Sequence, residues 1–158
     1  MKNNFYLLIL FLHTFVDMSL QVKPSTIPDS GKGLFTKTAI KKGEIVIEYT
    51  GEIVTWKTCQ KRNEEQEGFG GYYFFISEKR CIDAQYDLKA LARYANDAAG
   101  FSRITGIRNN CRYEVIKNRA YIVASRNIKP GEEIFVAYGR DYWNALKKNG
   151  LGPKSNTR

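Results

Sequence analysis

The stretch Asn127 to Trp143, NIKPGEEIFVAYGRDYW, constrains this chain most, because a turn, an apolar β-prone run and a polar aromatic cluster follow one another without a break. Pro130 and Gly131 set a turn, and Glu132 and Glu133 are expected to keep its exit in water. Ile134, Phe135, Val136 and Ala137 then read as a buried strand that ends in Tyr138 and Gly139. Such a strand end offers a fixed phenol beside a bare piece of backbone, which suits a site where a ligand approaches the main chain. A core strand capped by a tyrosine-rich turn has the same pattern, so the stretch alone does not define a function.

The chain has 158 residues, enough for one domain with a real core. Its formal net charge of +9 favours anionic or mixed-charge partners. The lysines are scattered apart from Lys41-Lys42, Lys147-Lys148 and the terminal Lys154 and Arg158, so a solvated basic surface fits as well as a nucleic-acid footprint. Cys59, Cys81 and Cys111 are far apart, with no Cys-x-x-Cys among them. Neighbouring cysteines therefore cannot build a zinc ribbon or an iron-sulfur site, and the odd count speaks against a disulfide framework. The single histidine, His13, lies in the N-terminal apolar run. Chemistry in the globular part does without imidazole, which excludes Ser-His-Asp and Cys-His nucleophile systems and His-ligated metals; the expected site is metal-free.

Residues 1–21 are read as a hydrophobic N-terminal segment. Lys2 is followed by a run from Phe5 to Val16 that is apolar except for His13 and Thr14. The run is short for a bilayer span and has the size of a signal-peptide hydrophobic region. No small-x-small site follows it, but Met18 does, so a signal or anchor and an over-extended start weigh equally. The globular domain is expected over 22–143, with a basic, flexible tail over 144–158.

Within the domain, Val22 to Lys32 reads as an entry loop, rich in Pro, Ser, Asp and Gly. Gly31-Lys32-Gly33 lets backbone pass close to a ligand, but without a third glycine and an opening helix it is neither a dinucleotide fingerprint nor a P-loop. Strands are expected at Glu44 to Tyr49, Tyr72 to Ile76 and Arg80 to Ala84, and a hairpin at Arg112 to Ile116 and Ala120 to Ser125 across Lys117-Asn118-Arg119. Helices are expected over Trp56 to Glu67, ended by Gly68, Gly70 and Gly71, and over Leu88 to Ala95, stopped by Asn96-Asp97. Gly100 to Asn110 reads as loop. Many short strands, little helix and no repeat define an irregular, mainly β domain.

Several of these pieces, in this order, resemble the SET-domain protein lysine methyltransferases. Gly31-Lys32-Gly33 is similar to the family's opening Gly-x-Gly, and Glu48-Tyr49-Thr50-Gly51 to its Tyr-x-Gly strand end. Leu91-Ala92-Arg93-Tyr94-Ala95-Asn96-Asp97 resembles the Arg-Phe-x-Asn-His segment, and Asn110-Cys111 the Asn-Cys that follows it. Gly131-Glu132-Glu133-Ile134 through Tyr138-Gly139 is similar to the closing Gly-Glu-Glu-Leu and Tyr-Gly motif. The resemblance covers Gly31 to Trp143 and matches a compact form without the zinc-bound flanks of many relatives.

The resemblance implies a mainly β fold of small curved sheets with short helices, the β-clip-like SET fold. Its C-terminal segment passes under a loop as a pseudoknot and brings the Asn96 segment beside Tyr138. It implies S-adenosyl-L-methionine as cofactor, held by Lys32, Gly33, Leu34, Tyr49, Arg93, Asn96, Asp97, Tyr138 and Trp143. It implies a substrate lysine, on a histone tail or another basic protein, entering a channel lined by Tyr72, Tyr113, Val136 and Tyr142. Tyr138 is the expected central phenol, with Tyr49 beside it. Methyl transfer from a sulfonium needs a neutral amine, a straight approach and exclusion of water, but no covalent intermediate and no metal, which agrees with the missing histidine.

Tyr113 at a channel position and Val136 at the family's Phe/Tyr switch position lean toward mono- or dimethylation. Asp97 stands where the family usually has histidine; its carboxylate is expected either to attract the sulfonium or to accept backbone hydrogen bonds. Tyr142 and Trp143 stand in for the missing flanks, with Trp143 either covering the adenine face or anchoring the tail. Glu64, Glu65, Glu67, Asp83 and Asp87 are candidates for an acidic groove that holds the substrate.

The alternative is a SET-like domain that has lost catalysis and serves as a protein- or nucleic-acid-binding module, to which the Asp97 departure points. A basic nucleic-acid binder, with contact to nucleosomal DNA, is the third reading. Nucleus or cytoplasm suits a cofactor made in the cytosol. Secretion or membrane anchoring depends on whether the N-terminal run is a real anchor.

Overall fold

A computed structural model describes residues 19–65, 71–148 and 150. The N-terminal run, Glu67 to Gly70 and most of the tail lie outside the described residues. No helix among the described residues is long and apolar enough to cross a membrane.

The described chain forms three small antiparallel sheets. Strands β1 (Leu20–Pro24) and β2 (Lys32–Thr36) make the first. Strands β3 (Ile45–Tyr49), β8 (Arg119–Ala124) and β7 (Cys111–Ile116) make the second, in the order β3-β8-β7. The third has the order β4-β6-β5, from β4 (Glu52–Val54), β6 (Arg80–Asp83) and β5 (Tyr73–Ser77). Helix α1 (Trp56–Glu65) packs on this third sheet, and helix α2 (Arg140–Lys148) follows the closing motif.

The β7-β8 hairpin turns on Lys117 and Asn118 alone, both with positive φ (49° and 62°), the geometry that matches the right-handed twist of the flanking strands. Arg119, expected in the turn, is the first residue of β8. Ala120, Ile122 and Ala124 on this central strand are fully buried and join Val46, Ile128, Ile134 and Val136 in the main core.

Several expectations are corrected. The entry loop begins later than Val22, because β1 pairs with β2 from Leu20 onward and Leu20 is buried, so the domain reaches back into the segment set aside as 1–21. The helix over Leu88 to Ala95 shrinks to one 3-10 turn, Leu91–Tyr94, because Ala95 already has an extended backbone. Asn144 to Lys148, assigned to a flexible tail, are the second half of α2, where Lys147 and Lys148 sit favourably at the helix C-terminus.

In the closing run Ile134, Phe135 and Val136 are buried as expected, whereas Ala137 is exposed, and the run joins no sheet. Its backbone groups go to different segments in turn. The Ile134 N–H donates to Leu34 O (2.7 Å), Phe135 O accepts from the N–H groups of Asn110 (3.1 Å) and Cys111 (2.9 Å), and the Val136 N–H donates to Asn96 O (2.8 Å). A ladder needs one partner for consecutive residues; here three partners share them. The run therefore threads between β2, the Asn96 segment and Asn110, which is the expected pseudoknot crossing.

Asn110 closes this crossing. Its fully buried amide donates to Glu133 O (2.7 Å) and accepts the Phe135 N–H (2.8 Å). Glu133, expected in water, is also buried. Its carboxylate accepts from the Ser25 hydroxyl (2.7 Å), the Thr26 N–H (2.7 Å), the Thr26 hydroxyl (2.6 Å) and the Asn96 amide (3.2 Å). The polar entry loop supplies most of the donors that make burial of this carboxylate tolerable.

Asn110→Leu removes both side-chain bonds and strands a buried carbonyl and a buried N–H. Urea unfolding is expected to show a loss of about 2–4 kcal/mol at unchanged m-value, whereas a loss under about 0.5 kcal/mol would contradict the assigned role.

Candidate functional site

The 3-10 turn ends in Ala95, Asn96 and Asp97, and each of these meets the C-terminal run. The Tyr138 hydroxyl donates to Ala95 O (2.8 Å). The Asn96 amide donates to Lys32 O (3.0 Å), tying this segment to the Gly-Lys-Gly strand. Asp97, 7% exposed, accepts four hydrogen bonds. Oδ1 takes the Ala99 N–H and the Asn109 amide (both 2.8 Å). Oδ2 takes the Tyr138 N–H (2.9 Å) and the Trp143 indole N–H (2.8 Å). Of the two roles expected for this carboxylate, the structure shows the one that accepts hydrogen bonds.

A cluster of aromatic rings adjoins this junction. Tyr49 lies 5.7 Å from Phe74 and 6.0 Å from Tyr113, and Phe74 lies 4.8 Å from Tyr113, ring centroid to centroid. The Tyr49 hydroxyl donates to Tyr72 O (3.1 Å). Burial pushes the phenols of Tyr49, Tyr113 and Tyr138 well above the ordinary tyrosine range, and the neighbouring phenols add to the shift. All three stay neutral hydroxyls at any physiological pH.

Arg93 completes the cluster. It is 8% exposed, its guanidinium sits 3.9 Å above the Tyr72 ring, and its Nε and Nη1 are buried without a hydrogen-bond partner. A buried cation with open donors favours an anionic or strongly polar guest.

A cleft of about 840 Å³, lined in part by Asp97, opens between Ala99–Arg103 and α2. Trp143 walls it; its ring stacks on Tyr138 (5.8 Å, 14° between planes) and meets Phe101 edge-on (4.9 Å). Gly100 lies under the indole so closely that an added Cβ would come within 2.6 Å of it. Of the two roles expected of Trp143, the anchoring one is seen in its indole N–H bond to Asp97, and the residue also lines the cleft. Tyr142 packs edge-on against Tyr138 (5.0 Å).

The site residues read from the sequence, Val136 apart, fall into three groups. Tyr49, Tyr72, Arg93 and Tyr113 share the aromatic cluster, while Asn96, Asp97, Tyr138, Tyr142 and Trp143 share the junction. Lys32, Gly33 and Leu34 lie along β2 and do not line the cleft. Lys32 faces the Tyr94 ring at 5.9 Å, and Leu34 is wholly buried with its carbonyl given to Ile134. Gly33 does allow a close approach, but the approaching group is the Glu133 carboxylate, 2.1 Å from where a Cβ would stand. Val136 is wholly buried in the core.

Asp83 is also removed from the acidic groove, because it is buried and paired with Arg62 (2.5 Å). Sequence reasoning missed Glu133, Asn109, Gly100 and Phe101. The partners of Glu133, Gly100 and Phe101 lie far along the chain, those of Asn109 are Asp97 and Ala98 across an irregular loop, and only the Asn-Cys resemblance flagged Asn110.

The SET domain family profile matches residues 31–139, and the chain belongs to that family. The histone-lysine N-methyltransferase set-1 of Caenorhabditis elegans is 28% identical over 129 residues, covering 75% of this chain and 50% of that protein. The histone-lysine N-methyltransferase Set8 of Drosophila melanogaster is 31% identical over 117 residues, covering 69% of this chain and 16% of that protein. A solved structure of ctPRC2 in an autoinhibited conformation bound to S-adenosylmethionine superposes with a TM-score of 0.62 at 28% identity, over 82% of this chain and 16% of that one. The chain thus spans half or less of the length of these relatives.

Asp97→Asn turns an amide NH₂ toward donors that need an acceptor. It is expected to cost about 2–3 kcal/mol and to weaken the near-ultraviolet circular dichroism of Trp143; an unchanged spectrum and midpoint would contradict the four-bond arrangement.

Stability is also expected to depend on alkali. For Tyr49 the folded pKa lies above the unfolded one, so its contribution is complete below about pH 10 and is lost as pH rises further, by up to about 1.4 kcal/mol per pH unit. Tyr49→Phe should flatten the fall in stability measured above that pH; an identical slope would count against the buried, neutral phenol.

Proposed function

We propose that this chain transfers a methyl group from S-adenosyl-L-methionine to a lysine side chain of a protein, with a histone tail or another basic protein as the acceptor. The observation that carries this reading is the meeting of Tyr138 with Ala95 and Asp97, and of Val136 with Asn96, beside the Tyr49–Phe74–Tyr113 cluster. The names of its relatives, histone-lysine N-methyltransferases, support the acceptor class.

The residues present fit the cofactor. Arg93, with two buried guanidinium nitrogens unpartnered, suits a carboxylate, and the face of Trp143 in the cleft suits a flat heteroaromatic group. Asn96, Asp97 and the backbone beside them would hold the rest. When bound, S-adenosylmethionine supplies an electrophilic methyl on a sulfonium.

The chain's own residues prepare the acceptor. A free lysine has a pKa near about 10.4, so the amine must lose its proton before it can attack. A desolvated aromatic wall of Tyr49, Phe74 and Tyr113 disfavours the ammonium, and the buried cation of Arg93 disfavours it further. The neutral phenols orient the amine through their oxygens without taking its proton. Their raised pKa values make them poor bases and keep them uncharged while they position. Tyr113 narrows the acceptor side, which favours mono- or dimethylation over trimethylation.

With labelled cofactor and core histones, Tyr138→Phe is expected to lower methyl transfer by about 100-fold or more, and Asn96→Ala to weaken cofactor binding in calorimetry by at least about tenfold. The transfer rate is expected to rise with pH as the acceptor amine deprotonates. Tight cofactor binding without transfer to any basic protein would reduce the reading to a binding module, and absence of cofactor binding would overturn it.

A further inference from the structure

The cysteines, expected to stay apart, do not all do so. Cys59, on the first turn of α1, faces Cys81 on β6, the middle strand of its sheet, with Sγ–Sγ 2.7 Å. Both are fully buried, and neither belongs to the site described above. Cys111 lies in a different sheet, on β7.

Helix α1 gives this pair a purpose. Its sequence, WKTCQKRNEE, has no apolar stripe, and Cys59 is its one buried residue. Helices of this length are normally held by an apolar face. What holds α1 instead is Arg62, bridging Glu52 (2.7 Å) and Asp83 (2.5 Å), the edge-on contact of Trp56 with Phe75 (5.2 Å), and the two sulfurs.

We infer that Cys59 and Cys81 are a disulfide-forming pair that staples α1 to the sheet carrying Phe74. The bond forms by exchange with a low-molecular-weight disulfide such as oxidised glutathione. One cysteine thiolate attacks that disulfide, forming a mixed disulfide and releasing one glutathione thiol. The second cysteine, as thiolate, displaces the other. Two protein thiols lose two electrons and two protons, and one disulfide becomes two thiols.

The surroundings also set the timing. Burial pushes both thiols up, so little thiolate is present, and no reagent reaches a fully buried sulfur. Exchange therefore belongs to folding, before α1 docks, and the finished bond is protected from reductant in the folded domain.

The test is to unfold the full chain in denaturant with dithiothreitol and to refold it either in a reduced/oxidised glutathione pair or in reductant alone. The oxidised product is expected to weigh two hydrogens less, to yield a linked Cys59–Cys81 peptide and to leave Cys111 alkylatable after unfolding. It should melt about 10 °C higher than the reduced product, the scale expected for closing a loop of this length in a domain of this size. Oxidised glutathione added to the already folded, reduced chain should form the bond at least about tenfold more slowly.

Cys111→Ser should keep both the bond and the melting shift, and Cys81→Ser should lose the difference between the two refolding conditions. Free thiols at both positions after oxidative refolding, a bridge through Cys111, or a bond without a rise in melting temperature would each overturn the inference.

Discussion

The carboxylate of Asp97 is the constraint on which the candidate site depends. Four donors converge on it, from Ala99, Asn109, Tyr138 and Trp143, and no cation is needed to hold it in place. An anion that exchanges its water for four well-placed N–H groups loses little by burial, while each donor gains a charge-assisted bond. Two of those donors belong to the C-terminal run and two to the loop that follows the Asn96 segment. One side chain thereby fixes where Tyr138 stands, how α2 leaves the domain and which face Trp143 shows to the cleft. Where the motif resemblance implies an imidazole, this chain has an acceptor able to satisfy more donors than a neutral ring nitrogen can.

The same logic repeats at Glu133 and Asn110. Glu133 gathers the entry loop and Asn96, and Asn110 gathers the main chain on both sides of Ile134. The crossing is thus built from polar side chains that each serve several segments, with Ile134 and Val136 buried between them. Such a network rewards completeness, since removing one member leaves several partners unsatisfied. The aromatic cluster beside it works by exclusion instead, keeping the phenols neutral beside the buried guanidinium of Arg93.

Local pattern made much of this legible. Alternating apolar residues marked β3 and the β7-β8 hairpin, and charge without Gly or Pro marked α1. Motif order placed Tyr138 with Asn96, although some forty residues separate them in the chain. What could not be read were features whose cause is non-local. Ile134 to Ala137 look like a strand, and only the three separate partners of their backbone deny them a sheet. Glu133 looks like a turn residue in water until Ser25 and Thr26 supply its donors from the far end of the chain. Leu34 and Val136 read as site residues by position in a motif, and the complete burial of both side chains depends on packing partners that the motif does not show.

The central claim is that the Asn96 segment and the Tyr138–Trp143 run form one pocket rather than two neighbouring surfaces. Amide hydrogen exchange of the full chain, with and without saturating S-adenosylmethionine, tests it most directly. Protection is expected to rise together at residues 95–100 and 137–143, the two stretches that Asp97 joins. Protection confined to one of these stretches, with the other exchanging as in the free protein, would contradict it.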